Sequence, residues 1–462
     1  MAVQIAYRTG PLVPLLLVAI VAVGTIAVVR PMASLYLAAA AIPLELFSLR
    51  LGFAGISPAE AGFVITGLGW SVRRLARGHL PYTPSPLGKP LLLLLLAVLP
   101  GLAVASDSAS LLKTLVMWTM FFLVYQMIVA EARPELVRRL LVVLAVSGAI
   151  VGLIAIVTAG GQTQQLIGGG ATATNRAIGS FRDPNALASF LALTIPGALL
   201  VGLQGSAVLR ALGLTSFVLA FVGLSLSLSR GGLLAAAGAI GVMLAWPPVR
   251  WVAGMAAAVL VVLTLFNANP LGDVQQVQRV ITRVSTVTYS GENQANQRIK
   301  LWRTTPQIVA DHPFFGVGER QYVNIAARYG LIGPGGITFK HAHNIPLTIV
   351  AELGLVGLLA LLWFFVALVR VTARACRETV GAERGLSFAV AAALVSVALQ
   401  GLVDYTIGSN VMAALVFVLA GCAVVMSRAG APSASAAGLP VPGAGPPARL
   451  SGASAVRSDR RA

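Results

Sequence analysis

Two of the chain's four histidines stand in His341-Ala342-His343-Asn344-Ile345-Pro346-Leu347, where a long polar loop runs into an apolar helix. Imidazole is the side chain whose ordinary pKa suits proton abstraction near neutral pH. His343 is therefore a candidate general base, with His341 as a supporting group. The competing reading makes His343 a helix N-terminal residue hydrogen-bonded to a lipid headgroup or to Asn344, since histidine also serves as a polar tip at interfaces. Polar groups at a membrane boundary are costly unless they are used or paired. Glu352 lies farther along the same helix, close to the face opposite His343, and reads as a paired structural carboxyl.

Arginine is the second group, placed where a membrane protein normally avoids it. Short loops on the outer side of a membrane are depleted in Arg and Lys. Arg182 stands in Ser180-Phe181-Arg182-Asp183-Pro184-Asn185 just before an apolar run, and Arg230 in the tight turn Ser229-Arg230-Gly231-Gly232 between two such runs. Arg279, Arg283, Arg298, Arg303 and Arg320 share one large polar loop. A guanidinium remains charged and grips phosphate oxygens bidentately. The alternative is contact with lipid headgroups or pairing with Asp183, Glu292 or Glu319, as weak surface ion pairs do. Arg230 stands apart, because a charge held in a turn among spans is costly to keep. The outer loops hold no Asp-x-Asp pair, and His341-x-His343 is a weak ligand spacing. No Ser/His/Asp set or Gly-rich nucleotide loop is apparent. No metal and no cofactor is expected.

These groups need a frame to position them. The chain has 462 residues, 57% of them hydrophobic and 10% charged, against roughly 25% charged in a soluble domain. It reads as an all-α polytopic membrane protein. The formal net charge of +18 would suggest nucleic acid in a soluble chain. Most of the excess falls instead in short loops, where it sets topology, and no stacking-rich basic face accompanies it. Cys376 falls in an inner loop and Cys422 in a helix, so no disulfide is expected.

Apolar runs cover about 87–105, 111–130, 136–158, 186–204, 207–227, 231–246, 249–267, 345–369, 385–403 and 408–427, each near the roughly 20 residues that cross a bilayer. Four groups fall on one side of these runs: Arg73, Arg74, Arg77 and Lys89; Arg133, Arg138 and Arg139; Arg250; and Arg370, Arg374, Arg377 and Arg384. The positive-inside rule makes that side, and with it the C-terminus, cytoplasmic. Ahead of them lie stretches at about 11–29, 31–48 and 53–70. No small-residue cleavage site follows the first, so it is expected to stay in the membrane. Two crossings are expected here, with one stretch broken, re-entrant or interfacial, giving about twelve transmembrane helices.

The expected organisation is transmembrane helices over 1–267, with a short outer segment at 159–185, then a large outer loop over 268–342. Transmembrane helices follow over 343–427, and an Ala/Pro/Gly/Ser-rich tail over 428–462 has a composition that buries no core. Within the loop, Val274, Val277, Ile281, Val284 and Thr288 recur at helical spacing and predict a surface helix over 273–288. A second helix is expected over 293–310, carrying Arg298, Trp302 and Arg303. Asp311-His312-Pro313-Phe314-Phe315-Gly316-Val317-Gly318 reads as its stop.

Taken in order, five motifs resemble the O-antigen ligase and O-antigen polymerase family of bacterial membrane glycosyltransferases. They are Phe181-Arg182-Asp183-Pro184-Asn185, Ser229-Arg230-Gly231, Asn296-Gln297-Arg298 with Trp302, His312 to Gly318, and His343-Asn344 with Glu352-Leu353-Gly354 and Gly357. The resemblance covers about residues 180–360. It implies a multi-spanning GT-C-type fold in the bacterial inner membrane, with the active site facing the periplasm. It further implies transfer of a glycan from an undecaprenyl-diphosphate carrier, without metal or nucleotide. Arg230 and Arg298 match the family's essential arginines, which would hold the diphosphate and stabilise its growing charge. His343 matches the essential histidine, which would take the acceptor's proton, with inversion at the anomeric carbon. Arg182, Asn185, Asn344, His341 and Arg303 are expected as substrate-binding residues around that centre.

Three acceptors fit the resemblance. A ligase uses the lipid A core, a polymerase another carrier-linked repeat unit, and a protein O-oligosaccharyltransferase a Ser or Thr of a pilin-like protein. The ligase is favoured, because no extended C-terminal protein-binding region is apparent. A secondary transporter would suit the number of spans. However, the spans hold few ionisable groups, chiefly Glu352 and Asp404, and no half-to-half repeat is visible.

Overall fold

The computed structural model describes residues 12–51, 54–105, 107–159, 176–181, 183–251, 294–333, 336 and 338–430. Outside them lie Arg182, Arg279, Arg283, the helix expected over 273–288, most of the span expected at 249–267, and the tail after 430. Apolar sequence becomes helix. α1 is Leu12–Val29, α2 Pro31–Ala40, α3 Pro58–Ala76, α4 Gly88–Leu96, α5 Gly101–Val104, α6 Ser108–Glu131 and α7 Pro134–Thr158. α8 is Pro184–Gln204, α9 Ala207–Leu226, α10 Arg230–Leu244 and α11 Gln294–Asp311, close to the helix expected over 293–310. α12 is Tyr322–Ile325, α13 Ile345–Glu378, α14 Gly381–Gly401 and α15 Asn410–Ala429. Among the described residues, seven helices are long and apolar enough to cross a membrane, namely α6 to α9 and α13 to α15. The fold is that of an all-α polytopic membrane protein. Its only described strands are the short hairpin Leu49–Leu51 with Ala54–Ile56.

Capping sorts the two ends of the bundle. A helix leaves its first N–H groups without partners, and a short polar side chain there satisfies them. Ser57 and Glu60 form a reciprocal capping box at the start of α3. Asp107 caps α6, Asp183 caps α8, Ser229 caps α10 and Asn344 caps α13. These five helices start at the end of the bundle that holds one polar cavity, which Ser57, Glu60, Asp107 and Asp183 line. α7, α9 and α14 start at the other end without a side-chain cap. That far end carries Arg73, Arg74, Arg133, Arg138, Arg374 and Arg377.

The first stretches can be followed along the bundle. Arg73 Nη1 donates to Val29 O at 3.4 Å, so α1 ends at the Arg-rich end. The chain then returns towards the cavity, which Glu45, Ser48 and Gly55 line. Pro43 lacks an N–H and cannot continue α2, so a 3-10 turn over Ile42–Leu44 and the hairpin follow. The three stretches therefore alternate in direction along the bundle. The middle one is interrupted, as was expected of one of them.

The decisive irregularity is in α13. This helix is 34 residues long, outrunning the expected span, and it breaks at Gly354, where φ is 65° and ψ −164°. The segment Pro313 to Gly318 replaces the helical hydrogen bonds that the break removes. Val317 N donates to Ala351 O at 3.0 Å and Gly318 N to Glu352 O at 2.8 Å. Leu355 N donates to Pro313 O at 2.8 Å and Val356 N to Phe314 O at 3.3 Å. Non-helical backbone at membrane depth persists only where protein or a cavity satisfies it. Glycine is needed on both sides of this junction. A Cβ at Gly316 would overlap the Glu352 carbonyl, and one at Gly354 the Phe314 carbonyl, while both positions have positive φ. The sequence motif read as a helix stop is thus also a staple across a broken helix.

Gly354→Ala should destabilise the protein by more than the roughly 1–3 kcal/mol of left-handed backbone strain, because the overlap adds to it. The measurement is the apparent Tm in detergent, expected to fall by several degrees. An unchanged Tm would refute the staple.

Candidate active site

The loop before α13 is held in an uncommon shape. His343 has φ 51°, a left-handed conformation that a non-glycine residue keeps only when its surroundings enforce it. Trp302 Nε1 on α11 donates to Ala342 O at 3.0 Å, and Ala342 N donates to Thr348 Oγ1 at 3.2 Å. Asn344 Oδ1 accepts from Leu347 N at 2.9 Å, and its Nδ2 donates to Leu402 O at 2.7 Å. Both ends of the Asn344 amide thus hold the fold, where substrate binding had been expected. Its second bond ties His343 to the turn after α14, and that turn carries Asp404.

His343 Nδ1 lies 2.8 Å from Asp404 Oδ1, and Tyr405 N donates to the same oxygen at 2.8 Å. Arg298 Nη2 lies 3.6 Å from Asp404 Oδ2. Asp404 is 7% exposed. Burial raises the pKa of its carboxyl, but the hydrogen bond from His343 and the charges of His343 and Arg298 outweigh it and hold the pKa down to about 2. An ionised Asp404 keeps the proton on His343 Nδ1. The other ring nitrogen, Nε2, is then the basic one.

The His341 ring meets His343 edge-on at 4.3 Å and lies 5.3 Å from the Tyr405 ring. His343 N donates to His341 Nδ1 at 3.3 Å. Burial, and after it the charge of His343, push the His341 imidazole down to about 3, against the pull of Asp404. His341 therefore stays neutral. Behind Tyr405, its hydroxyl donates to Glu319 Oε1 at 3.4 Å, and burial raises the pKa of the Glu319 carboxyl. Glu352 Oε1 accepts from Tyr322 N at 3.2 Å, matching the structural part read for it. His341, His343 and Asp404 each bring a ligand-type atom within 4.8 Å of the others. The 2.8 Å contact between His343 and Asp404 has the length of a proton-mediated bond, with a guanidinium beside it.

The other expected residues divide. Arg230 opens α10, and Gly231 next to it packs against Val403 and Gln400, so this helix start abuts the Asp404 turn. Asn185 Oδ1 accepts from Arg176 Nη2 at 3.0 Å and from Ser229 Oγ at 3.0 Å, and Asn185 O accepts from Gln400 Nε2 at 3.2 Å. Asn185 thus ties the starts of α8 and α10 to the end of α14. Arg303 is exposed on α11, on a face away from Arg298, and the structure does not bring it to His343. Residue reading missed Asp404 as the partner of His343, naming it only as a rare ionisable group. The available signal was an Asp-Tyr pair in a turn directly after an apolar helix. Its distance of 61 positions from His343 hid the pairing.

His341, His343, Asp404, Asp183 and Asn185 line one side of a cavity of about 590 Å³, within the range of small-molecule sites. An ionised carboxylate, an oriented imidazole and a guanidinium at such a cavity suit proton removal from a hydroxyl beside a growing negative charge.

His341 makes stability depend on pH. Unfolded, it binds a proton below its ordinary pKa of 6.5, and folded only near 3. The unfolded state therefore holds more protons across that window, and stability falls as pH drops through it. The apparent Tm of His341→Asn in detergent should decline less steeply over this range than that of the native protein; parallel slopes would overturn this account.

The family model described as O-antigen ligase matches residues 215–362. No curated protein matches the chain. The matched segment holds Arg230, Arg298, the loop from His312 to Gly318, both site histidines and the break at Gly354, while Asn185 and Asp404 enter the site from outside it. Over this segment the chain is similar to the O-antigen ligase family.

Proposed function

We propose that the protein is an O-antigen ligase of the bacterial inner membrane. It transfers O-antigen polysaccharide from undecaprenyl diphosphate to a sugar hydroxyl of the lipid A core at the periplasmic face. The observation that carries this reading is the His343–Asp404 pair on the polar cavity, with Arg298 beside the Asp404 carboxylate. Its location supports the orientation, because it lies at the end of the bundle opposite the Arg-rich loops, and such loops face the cytoplasm.

In the proposed reaction, His343 Nε2 accepts the proton of the acceptor hydroxyl as its oxygen attacks the anomeric carbon. The bond from that carbon to the phosphate oxygen breaks, and its electron pair leaves with undecaprenyl diphosphate. Attack opposite the leaving group inverts the centre. The negatively charged Asp404 orients the imidazole and stabilises the imidazolium that forms. Arg298 and Arg230 offset charge on the departing diphosphate, the part a metal ion plays in other enzymes. A repeat unit still on its carrier is the alternative acceptor, which would make the enzyme a polymerase with the same base.

Lipopolysaccharide from a deletion strain tests the acceptor. Bare core, with long polymer stranded on the carrier, is the expected gel profile. Core capped by a single repeat unit would mean polymerase. His343→Ala should lower turnover about 10²–10⁴-fold, the usual worth of a general base, in protein that still inserts and folds. Native rates would end the base assignment. Arg298→Lys should also fail, since an ammonium lacks the guanidinium fork; near-normal transfer would reduce Arg298 to general charge.

A further inference from the structure

Arg176 is a charged side chain that the proposed reaction does not use. It is 5% exposed, precedes the segment that the family model matches and is not on the cavity lining. A buried guanidinium is costly unless the chain itself binds it. Arg176 Nε donates to Ser227 O at 2.8 Å, and its Nη2 to Asn185 Oδ1 at 3.0 Å. Ser227 closes α9, whose last carbonyls have no helical partner, and beside it Ala177 N donates to Leu226 O at 3.1 Å. The helix dipole also favours a cation at this end.

Only Ser227, Leu228 and Ser229 separate α9 from α10, which opens on Arg230. Leu228 has φ 51°, a left-handed shape that leucine keeps only where its surroundings impose it. Those surroundings are a set of polar ties. Ser227 Oγ donates to Leu224 O at 2.6 Å and accepts from Ser229 N at 3.2 Å. Ser229 Oγ accepts from Gly232 N at 3.3 Å and donates to Asn185 Oδ1 at 3.0 Å. The turn is thus held before Leu228 by Arg176 and after it by Asn185, and the bond between Arg176 and Asn185 joins the two holds. Gln400 Nε2 donates to Asn185 O at 3.2 Å, which anchors the set to the end of α14 ahead of the Asp404 turn.

We infer that Arg176 is a positioning residue: with Asn185 it clamps the left-handed turn Ser227–Ser229 and so sets where Arg230 stands beside the Asp404 turn. This rests on the part proposed above for Arg230 at the departing diphosphate. Without the clamp, Leu228 relaxes towards an ordinary negative φ. A change of φ within a three-residue link re-aims the helix start that follows it, and Arg230 is the first residue of that helix. Arg176 acts through the backbone of this turn and touches no substrate.

A double-mutant cycle with Leu228→Gly tests it, because glycine takes positive φ without strain and needs no clamp. Arg176→Gln should lower transfer about tenfold to a hundredfold, the scale of a misplaced group. Adding Leu228→Gly to that variant should recover most of the loss. Hydrogen exchange on the full-length protein in nanodiscs, with neither donor nor acceptor present, reads the turn directly. Exchange over Leu226–Leu233 should quicken in Arg176→Gln and slow again in the double variant, while α14 keeps its native rates. Exchange judges the clamp whether or not the protein transfers a glycan, so failure of the transferase reading stays distinguishable. If Arg176→Gln does not accumulate in the membrane, Arg176→Lys goes through the same cycle, since it keeps the charge and replaces the fork by one donor centre. A loss of transfer that Leu228→Gly leaves unmoved would overturn the proposal, because a residue that gripped the diphosphate itself, or only closed α9, gains nothing from glycine at 228. Native exchange rates in the turn of the Arg176 variant would overturn it as well.

Discussion

The site depends on one constraint: a long apolar helix is broken at Gly354, and its loose backbone groups must find partners away from water. The segment Pro313 to Gly318 supplies them with four backbone hydrogen bonds. This fixes the end of the large polar loop against the bundle. It places Arg320 on the cavity wall, Glu319 behind Tyr405 and Glu352 under Tyr322. It also sets the start of α13 as a separate short helical segment, whose cap Asn344 reaches across to Leu402. The turn with Asp404 and the loop with His343 are brought into register by that bond. A polar amide capping a helix and a backbone staple thus do the positioning that side-chain packing does elsewhere in the bundle.

Charge follows the same division. At the far end, arginines stand in the terminal turns of helices and the short connections between them. At the cavity end, polar caps gather because α3, α6, α8, α10 and α13 begin there, and each start presents unsatisfied N–H groups and a partial positive charge. Asp107 and Asp183 answer that need and face the cavity as well, so a helix-capping requirement also shapes its chemistry. Within this setting Asp404 stays ionised because His343 and Arg298 outweigh its burial, whereas His341 is kept neutral by burial. Two imidazoles two residues apart therefore differ in kind. One is oriented by a carboxylate, and the other is a neutral ring packed against Tyr405.

The sequence by itself determined the membrane class, most helix positions from α6 onward and the second helix of the polar loop, and it singled out His343 and Arg298 as candidates. Each of these is a local property. Hydropathy over some 20 residues makes a span, 3.6-residue periodicity makes an amphipathic helix, and imidazole or guanidinium in an apolar setting marks a use for charge. The ordered motifs carried the family likeness for the same reason, since each lies within a few consecutive residues.

Tertiary structure decided what depends on residues far apart in the chain. Asp404 meets His343 across 61 positions, and Gly316 is explained only by the Glu352 carbonyl it faces. Asn344 and Asn185, expected as substrate contacts, are ties between helix ends, because their amides satisfy backbone and side-chain groups of distant elements, and Asn185 lines the cavity as well. Arg303 shares a helix with Arg298, yet the turn of that helix carries it out to the surface. Sequence states which groups are available at a membrane boundary. Which of them meet is set by how helix ends satisfy one another's hydrogen bonds where water is excluded.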